Sequence, residues 1–393
     1  MASNTSGPDT ADTYRGSHTG SSSSTDTSRH LHPEPSPDNI NDHVADHLPT
    51  SHAQAAPAQD NQADDSLSDA AETDADADSV FTHDEGFGDY GSSASSFYSN
   101  LRAEAEDYYW ENGRRYHEHN LRRYPLPNDD IELDREDMKH HMWRLVLEGK
   151  LHLAPMKENP SKILDLGTGS GIWAMEVADQ YPSAEVIGTD ISPVQPKWVP
   201  PNLHYEIDDL EQEWLFRSNS FDFINVRFMF YAIKDWPAML QQAYRTLKPG
   251  GYIELSELAL QPVAGDDCPS PPTITQWFKI QGAAIEKAGF DMHVACRYKQ
   301  MLIDAGFEAV VEEKMDIPWG TWPEDRRSKA IGFWHVEQLK QGLQGIALAT
   351  LTRSGWSVAE VELFLASLRQ EMGDRKYRFM DHAYIAYGRK PLT

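Results

Sequence analysis

The sequence predicts an α/β protein: a mostly parallel sheet with helices packed on both faces. Three observations carry that expectation. Between 162 and 258, short apolar runs alternate with amphipathic stretches of helical length, the pattern of repeated strand–helix–strand units. A glycine-rich turn lies in the first unit, "ILDLGTGSGIWAMEVADQYPSAEVIGTD" (163–190), between two apolar runs. Carboxylates stand at the ends of three successive predicted strands: Asp165, Asp190, and the pair Asp208 and Asp209.

Each element follows from its own text. Residues 128–150, "NDDIELDREDMKHHMWRLVLEGK", place Met138, Met142, Leu145 and Val146 at helical spacing after an acidic start, which predicts an N-terminal helix or two. A helical cap is therefore expected over 96–155, ahead of a main domain at 156–393. "KILDL", "AEVIGTD", "LHYEIDD", "FDFINVRF" and "GYIELSEL" read as five strands, with helices at "GIWAMEVADQYP" and at "WPAMLQQAYRTLKPG". A helix near 273–289, a short one at "RYKQMLIDAGF" and a strand at "EAVVEEKMDIP" come next. The stretch 323–376 is predominantly helical and reads as a lid insertion. The closing "DHAYIAYGRKP" reads as an edge strand returning to the sheet.

Composition divides the chain of 393 residues. Residues 1–100 hold two basic residues, Arg15 and Arg29, against eighteen Asp and Glu, a net of −16; the whole chain carries −27, which leaves −11 for the rest. That segment has no Trp or Cys and contains "RGSHTGSSSSTDTSRH" and "DSLSDAAETDADADS". It cannot bury enough apolar area to offset its chain entropy, so a disordered acidic tail is expected over 1–95. Aromatics enter at "FTHDEGFGDYGSSASSFYSNLRAEAEDYYW" (81–110), where the tail either docks on the folded body or meets a protein partner. The acidic balance argues against nucleic acid and anionic membranes as partners. Cys268 and Cys296 lack metal spacing and form no disulfide framework, so no metal is expected. No apolar run approaches the ~18 residues of a membrane span, and the expected compartment is the cytoplasm, with nuclear entry left open.

The glycine turn implies a nucleotide. Gly167, Gly169 and Gly171 lead from the first strand into the first helix, where a ligand meets backbone in sheets of this kind. Spacing does not choose the ligand: "GSGIWA" satisfies only the loose dinucleotide pattern. Charge decides better. Carboxylates at successive strand ends repel a pyrophosphate but suit S-adenosylmethionine, which carries a sulfonium and an ammonium and no phosphate.

"ILDLGTGSG", "VIGTDIS", "EIDD", "FDFI" and "LKPGGYIELSE" in this order resemble class I S-adenosylmethionine-dependent methyltransferases, a Rossmann-like fold. "ENGRRYH" (111–117), "PLPND" (125–129), "DISPVQPKWVPPNL", "IDDLEQEW" and the closing "HAY…YGRKP" are similar to the fungal LaeA-like (UMTA-type) branch. The resemblance covers roughly 95–393. It implies a seven-stranded sheet with the last strand antiparallel. It also implies that Asp165, Gly167, Gly169 and Gly171 hold the methionine end of the donor, Asp190 the ribose, and Asp208 and Asp209 the adenine edge, with Tyr116 closing over it. LaeA-type regulators read differently after the fourth strand, where this chain has "NVRFMFYAIKDWP", so their regulatory role does not carry over directly.

Methyl transfer is a direct displacement that needs alignment, and a base only if the acceptor must lose a proton. Arg227, Asn225 and Tyr231, after the fourth strand, are the catalytic candidates, with His140 and His141 further possibilities. Two functions are expected to compete: a methyltransferase acting on a small molecule of fungal secondary metabolism, and a LaeA-like regulator acting through protein partners. An NAD oxidoreductase is a third reading, permitted by the glycines and disfavoured by the carboxylates.

Overall fold

The computed structural model describes residues 108–117, 124–264 and 268–393; the tail expected over 1–95 lies outside them. Among the described residues a seven-stranded sheet is built from β3 (Lys162–Leu166), β4 (Glu185–Asp190), β5 (Leu203–Ile207), β6 (Phe221–Arg227), β7 (Leu247–Ala264), β8 (Glu308–Pro318) and β9 (Phe379–Arg389). The strand order is β5-β4-β3-β6-β7-β9-β8. Neighbours from β5 to β7 are parallel, and β9 runs antiparallel to both β7 and β8. The closing strand is thus interior, and β8 is the edge. A return to the sheet is legible in an apolar alternation at the end of a chain, but the side on which it pairs is not.

Burial explains the central strands. Ile163, Leu164, Leu166, Phe221, Phe223 and Ile224 are wholly buried, as strands covered on both faces require. Each such side chain contributes about 1.5–3 kcal/mol. Helices α2 (Ile172–Gln180) and α3 (Trp236–Thr246) connect the parallel strands. Asp235 caps α3 with Pro237 in its first turn, and the helix stops at Thr246, where Lys-Pro-Gly already runs as strand. Helix α4 (Pro272–Lys287) and α5 (Tyr298–Asp304) precede β8.

The expected helical cap over 96–155 holds one helix, α1 (Asp130–Val146), and a two-stranded hairpin of β1 (Tyr108–Glu111) and β2 (Arg114–His117). Asn112 and Gly113 both have positive φ, 52° and 79°, which is the two-residue turn that an Asn-Gly pair favours. The hairpin is locked to α1 by a buried pair: Arg114 donates to both oxygens of Asp129 at 2.6 and 2.8 Å, and Asp129 caps α1 by accepting from the Glu132 amide.

The helical stretch expected over 323–376 consists of α6 (Arg326–Arg353) and α7 (Val358–Met372), the latter opened by a Ser357–Glu360 capping box. Helix α6 lies against α1, and Gly342 permits the close approach, since a Cβ there would stand 2.6 Å from the Arg135 Cδ. The two helices with α4 form a separate apolar cluster that includes Trp277, Trp319, Leu343, Leu365 and Phe379.

On the side of the sheet away from the strand carboxyl ends, Asp222 ties β3, β6 and β7 together. It accepts from the Ser161 and Lys162 amides at 2.8 and 3.0 Å and from Lys248 Nζ at 3.0 Å, with Lys157 at 2.6 Å. Burial raises its pKa, but these donors and cations outweigh it and hold the carboxyl far below the ordinary carboxylate range. A depressed carboxyl stabilises the fold above its unfolded value, and that stability is lost as pH falls through the folded value. Asp222→Ala is expected to lower unfolding free energy by about 3 kcal/mol at pH 7. In denaturant titrations the gap to wild type should narrow below about pH 3.

Candidate functional site

The carboxyl ends of β3, β4, β5 and β6 open into one cavity. One wall includes Gly167, Gly169, Asp190, Ser192, Asp208 and Asp209; Arg227 and Tyr231 line it beyond β6. All but Ser192 are candidates that the sequence placed at or after strand ends; Asp165, Gly171 and Asn225, placed there too, do not line the cavity.

The glycine turn is shaped by its neighbours. Gly167, Gly169 and Gly171 all have positive φ, a region costly for residues with a Cβ. A Cβ on Gly167 would lie 2.2 Å from Met229 Sδ, and one on Gly171 would lie 2.1 Å from the Tyr205 hydroxyl. Gly171 also starts α2 with no side-chain cap, which leaves the helix N-terminal amides free for a polar ligand group.

Asp165 sits beneath the turn, 3% exposed. It accepts from Thr168 Oγ1 at 2.6 Å and Asn225 Nδ2 at 2.7 Å, and burial pushes its pKa up against those bonds. Asn225 therefore orients Asp165 and does not reach the cavity wall. Asp190 accepts from the Gly169 amide at 2.8 Å and the Ser192 amide at 2.9 Å, which fixes the turn against β4; burial still pushes its pKa up to about 6. Asp208 is pushed up to about 7 by burial and by the neighbouring Glu206 and Asp209 charges. Asp209 accepts from the Glu211 amide and from Gln212 Nε2.

The other candidates divide. Arg227 lines the cavity; its Nη2 donates to His140 Nδ1 at 3.0 Å, and His140 Nε2 is 3.1 Å from Glu176. Burial, opposed by Glu176 and reinforced by Arg227, pushes His140 down to about 4, so it serves as a neutral bridge between α1, β6 and α2. His141 is exposed and packs edge-on against Trp334 at 4.9 Å. Neither histidine lines the cavity. Tyr231 lines it, with its ring 4.0 Å from that of Phe230. Tyr116 is buried against Tyr109 at 5.3 Å and does not line it; Tyr124 does. The hairpin reaches the site instead through His117, whose Nε2 bonds Ser192 Oγ.

Several lining residues escaped sequence reasoning. Glu132, Arg135, Glu136 and Lys139 line the cavity from α1, Glu257 from β7, Gln281 from α4 and Gln338 from α6. Only Glu257, in the "LSE" that ends a predicted strand, carried a positional signal comparable to that of the strand-end aspartates. Among the described residues no group of His, Cys, Asp and Glu is arranged to hold a metal, and no helix is long and apolar enough to cross a membrane.

A five-strand parallel array, an antiparallel β9 inserted between β7 and β8, and a glycine turn from β3 into α2 define a class I methyltransferase fold. The family model described as "Methyltransferase domain" matches residues 138–313. The chain is 36% identical over 277 residues to the methyltransferase pytC of Aspergillus terreus, covering 70% of this chain and 85% of that protein. It is 36% identical over 292 residues to the secondary metabolism regulator LAE1 of Cochliobolus heterostrophus, covering 72% and 95%. It is 29% identical over 304 residues to the protein-methionine methyltransferase laeA of Emericella nidulans, covering 76% and 81%. The chain belongs to the LaeA-like methyltransferase family.

A carboxyl whose folded pKa is raised favours folding at low pH, and that contribution is lost as pH rises through the folded value. For Asp208 this window runs from the ordinary 3.8 up to about 7. Asp208→Asn is accordingly expected to stabilise the ligand-free chain at pH 8 by about 1 kcal/mol or more, roughly 2–4 °C in melting temperature, with no gain at pH 4. Calorimetric melts at the two pH values check this.

Proposed function

We propose that this chain transfers the methyl group of S-adenosylmethionine to an apolar small molecule of fungal secondary metabolism. The observation that carries the reading is the continuity of one cavity. A rim of glycine turn and carboxylates at Gly167, Gly169, Asp190 and Asp208 opens into an apolar chamber walled by Leu258, Trp277, Phe278, Trp319, Leu343 and Met372.

The rim fits the donor chemically. Asp165, Asp190 and Asp208 all have pKa values raised by burial, so each is a carboxylate short of compensating positive charge or donors. A ligand offering a sulfonium, an ammonium, two ribose hydroxyls and an exocyclic amine supplies both. Asp190 would accept from the ribose hydroxyls through lone pairs not used by Gly169 and Ser192. Asp208 and Asp209 would meet the adenine edge, and the Gly167–Gly171 turn, stiffened from below by Asp165, would hold the methionine end. The bound donor supplies an electrophilic methyl group.

The protein's part is alignment and exclusion of water, which can supply about 7–11 kcal/mol of the barrier. Helices α6 and α7 roof the chamber, and α1 closes the side facing the donor turn. Arg227 and Tyr231 sit at the junction of rim and chamber, where the acceptor's reacting atom would stand. A second reading has its own support in LAE1, which is named a regulator: the chain would act on a protein or through one. The apolar lining of the chamber favours an apolar small molecule.

Asp190→Ala is expected to weaken S-adenosylhomocysteine binding by at least roughly 100-fold, since two hydrogen bonds to a charged acceptor are lost at about 1.5–3 kcal/mol each. Titration calorimetry against wild type reads this directly, and equal affinity would sink the donor assignment. If Asp190→Ala in the host leaves the metabolite profile unchanged although donor binding is gone, the partner reading gains and the enzymatic one fails.

A further inference from the structure

The apolar chamber contains two polar groups that the donor does not need. Gln281, on α4, is 4% exposed and lines the cavity, and its Nε2 has no hydrogen-bond partner. A buried amide without a partner costs about 1–3 kcal/mol, a cost that a ligand oxygen would remove. Glu257, near the middle of β7, is 1% exposed and also lines the cavity. Its Oε2 accepts from the Phe230 amide at 3.1 Å and its Oε1 from the Leu258 amide at 3.0 Å, and the Met229 amide also bonds the carboxylate, which leaves one lone pair for a ligand.

Glu257 also borders the donor rim. It holds Phe230, and the preceding Met229 lies directly over Gly167. Neither polar group is required by the apolar packing around it, and together they supply one acceptor and one donor.

We propose that Glu257 and Gln281 form the polar subsite for the methyl acceptor, and that the acceptor is an apolar molecule with an ionisable hydroxyl facing Glu257 and a second oxygen facing Gln281. This rests on the donor reading above. The acceptor hydroxyl gives its proton to the Glu257 carboxylate as its oxygen bonds to the methyl carbon. The carbon–sulfur bond breaks and its electron pair stays on sulfur, leaving S-adenosylhomocysteine and a methyl ether. Burial pushes Glu257 up to about 7, against the pull of Lys139 from α1. Tyr231 after β6 and Tyr298 on α5 are the other titratable groups in electrostatic reach. Such a carboxyl is poised to take and return a proton near neutral pH.

Three planar probes test the subsite: 7-hydroxycoumarin, coumarin, which lacks the hydroxyl, and 2-naphthol, which lacks the carbonyl. Binding is measured to the full chain saturated with S-adenosylhomocysteine, whose own binding is measured first. Wild type is expected to prefer 7-hydroxycoumarin to each of the other two by roughly 10-fold. Glu257→Gln should abolish the preference over coumarin, and Gln281→Leu the preference over 2-naphthol, each leaving the other preference in place. Gln281→Leu removes an unpaired group and keeps the side-chain volume, so it tests the proposal even if Glu257→Gln folds poorly. Intact S-adenosylhomocysteine binding with no preference, or with preferences that neither variant changes, overturns the subsite alone. Failure of S-adenosylhomocysteine to bind overturns the donor reading itself.

Discussion

A buried charge has to be paired, and helix α1 carries several. Arg135 is 6% exposed and Lys139 8%. Arg135 reaches Glu132 at 2.6 Å, Gln338 on α6 at 3.0 Å, and also Glu136; Lys139 meets Glu136 at 2.7 Å and stands 4.2 Å over the Phe228 ring. Burial alone would raise the Glu136 pKa, but Lys139 and Arg135 outweigh it and hold it well below the ordinary range. Removing any one partner would strand the others in a low-dielectric site. Helix α6, helix α1 and the loop after β6 are therefore constrained together. The cavity between them has its shape because this network has few ways to close.

The same constraint separates the two ends of the cavity. The rim of glycine turn and strand ends is made of backbone and carboxylates from the sheet, held by short local bonds such as Gly169 to Asp190 and Thr168 to Asp165. The chamber is made largely of side chains from α4, α6 and α7, with Leu258 of β7 and Trp319 after β8. A rim fixed by the sheet can keep one donor while the chamber varies. Relatives that share the sheet need not share an acceptor.

The sheet was largely legible because central strands have to be apolar throughout and helices between them have to be amphipathic. Parallel strands end on one side, which is why Asp190, Asp208 and Asp209 line one cavity and Asp165 lies beneath its glycine turn. What was not legible has distinct causes. The hairpin was overlooked because aromatic and basic residues masked an Asn-Gly turn. Apolar spacing identified α1, but half of its buried face is charged, and pairing partners such as Gln338 lie about 200 residues away. Tyr116, which the resemblance implies closes over the donor, packs opposite Tyr109 in the hairpin and does not line the cavity. Gln281 carried no signal at all, since an unpaired amide is defined only by what surrounds it in space.

The interior position of β9 has a consequence for how the chain comes together. Strands β7 and β8 do not pair with each other; each pairs only with β9 on that side of the sheet. Until residues 379–389 arrive, both present open hydrogen-bonding edges, the feature through which unfinished sheets stick to other chains. Closing the sheet joins Tyr252 to Arg389 and Glu308 to Arg389, contacts of long sequence separation that slow folding. On a ribosome this half of the molecule stays vulnerable until the C-terminal strand emerges.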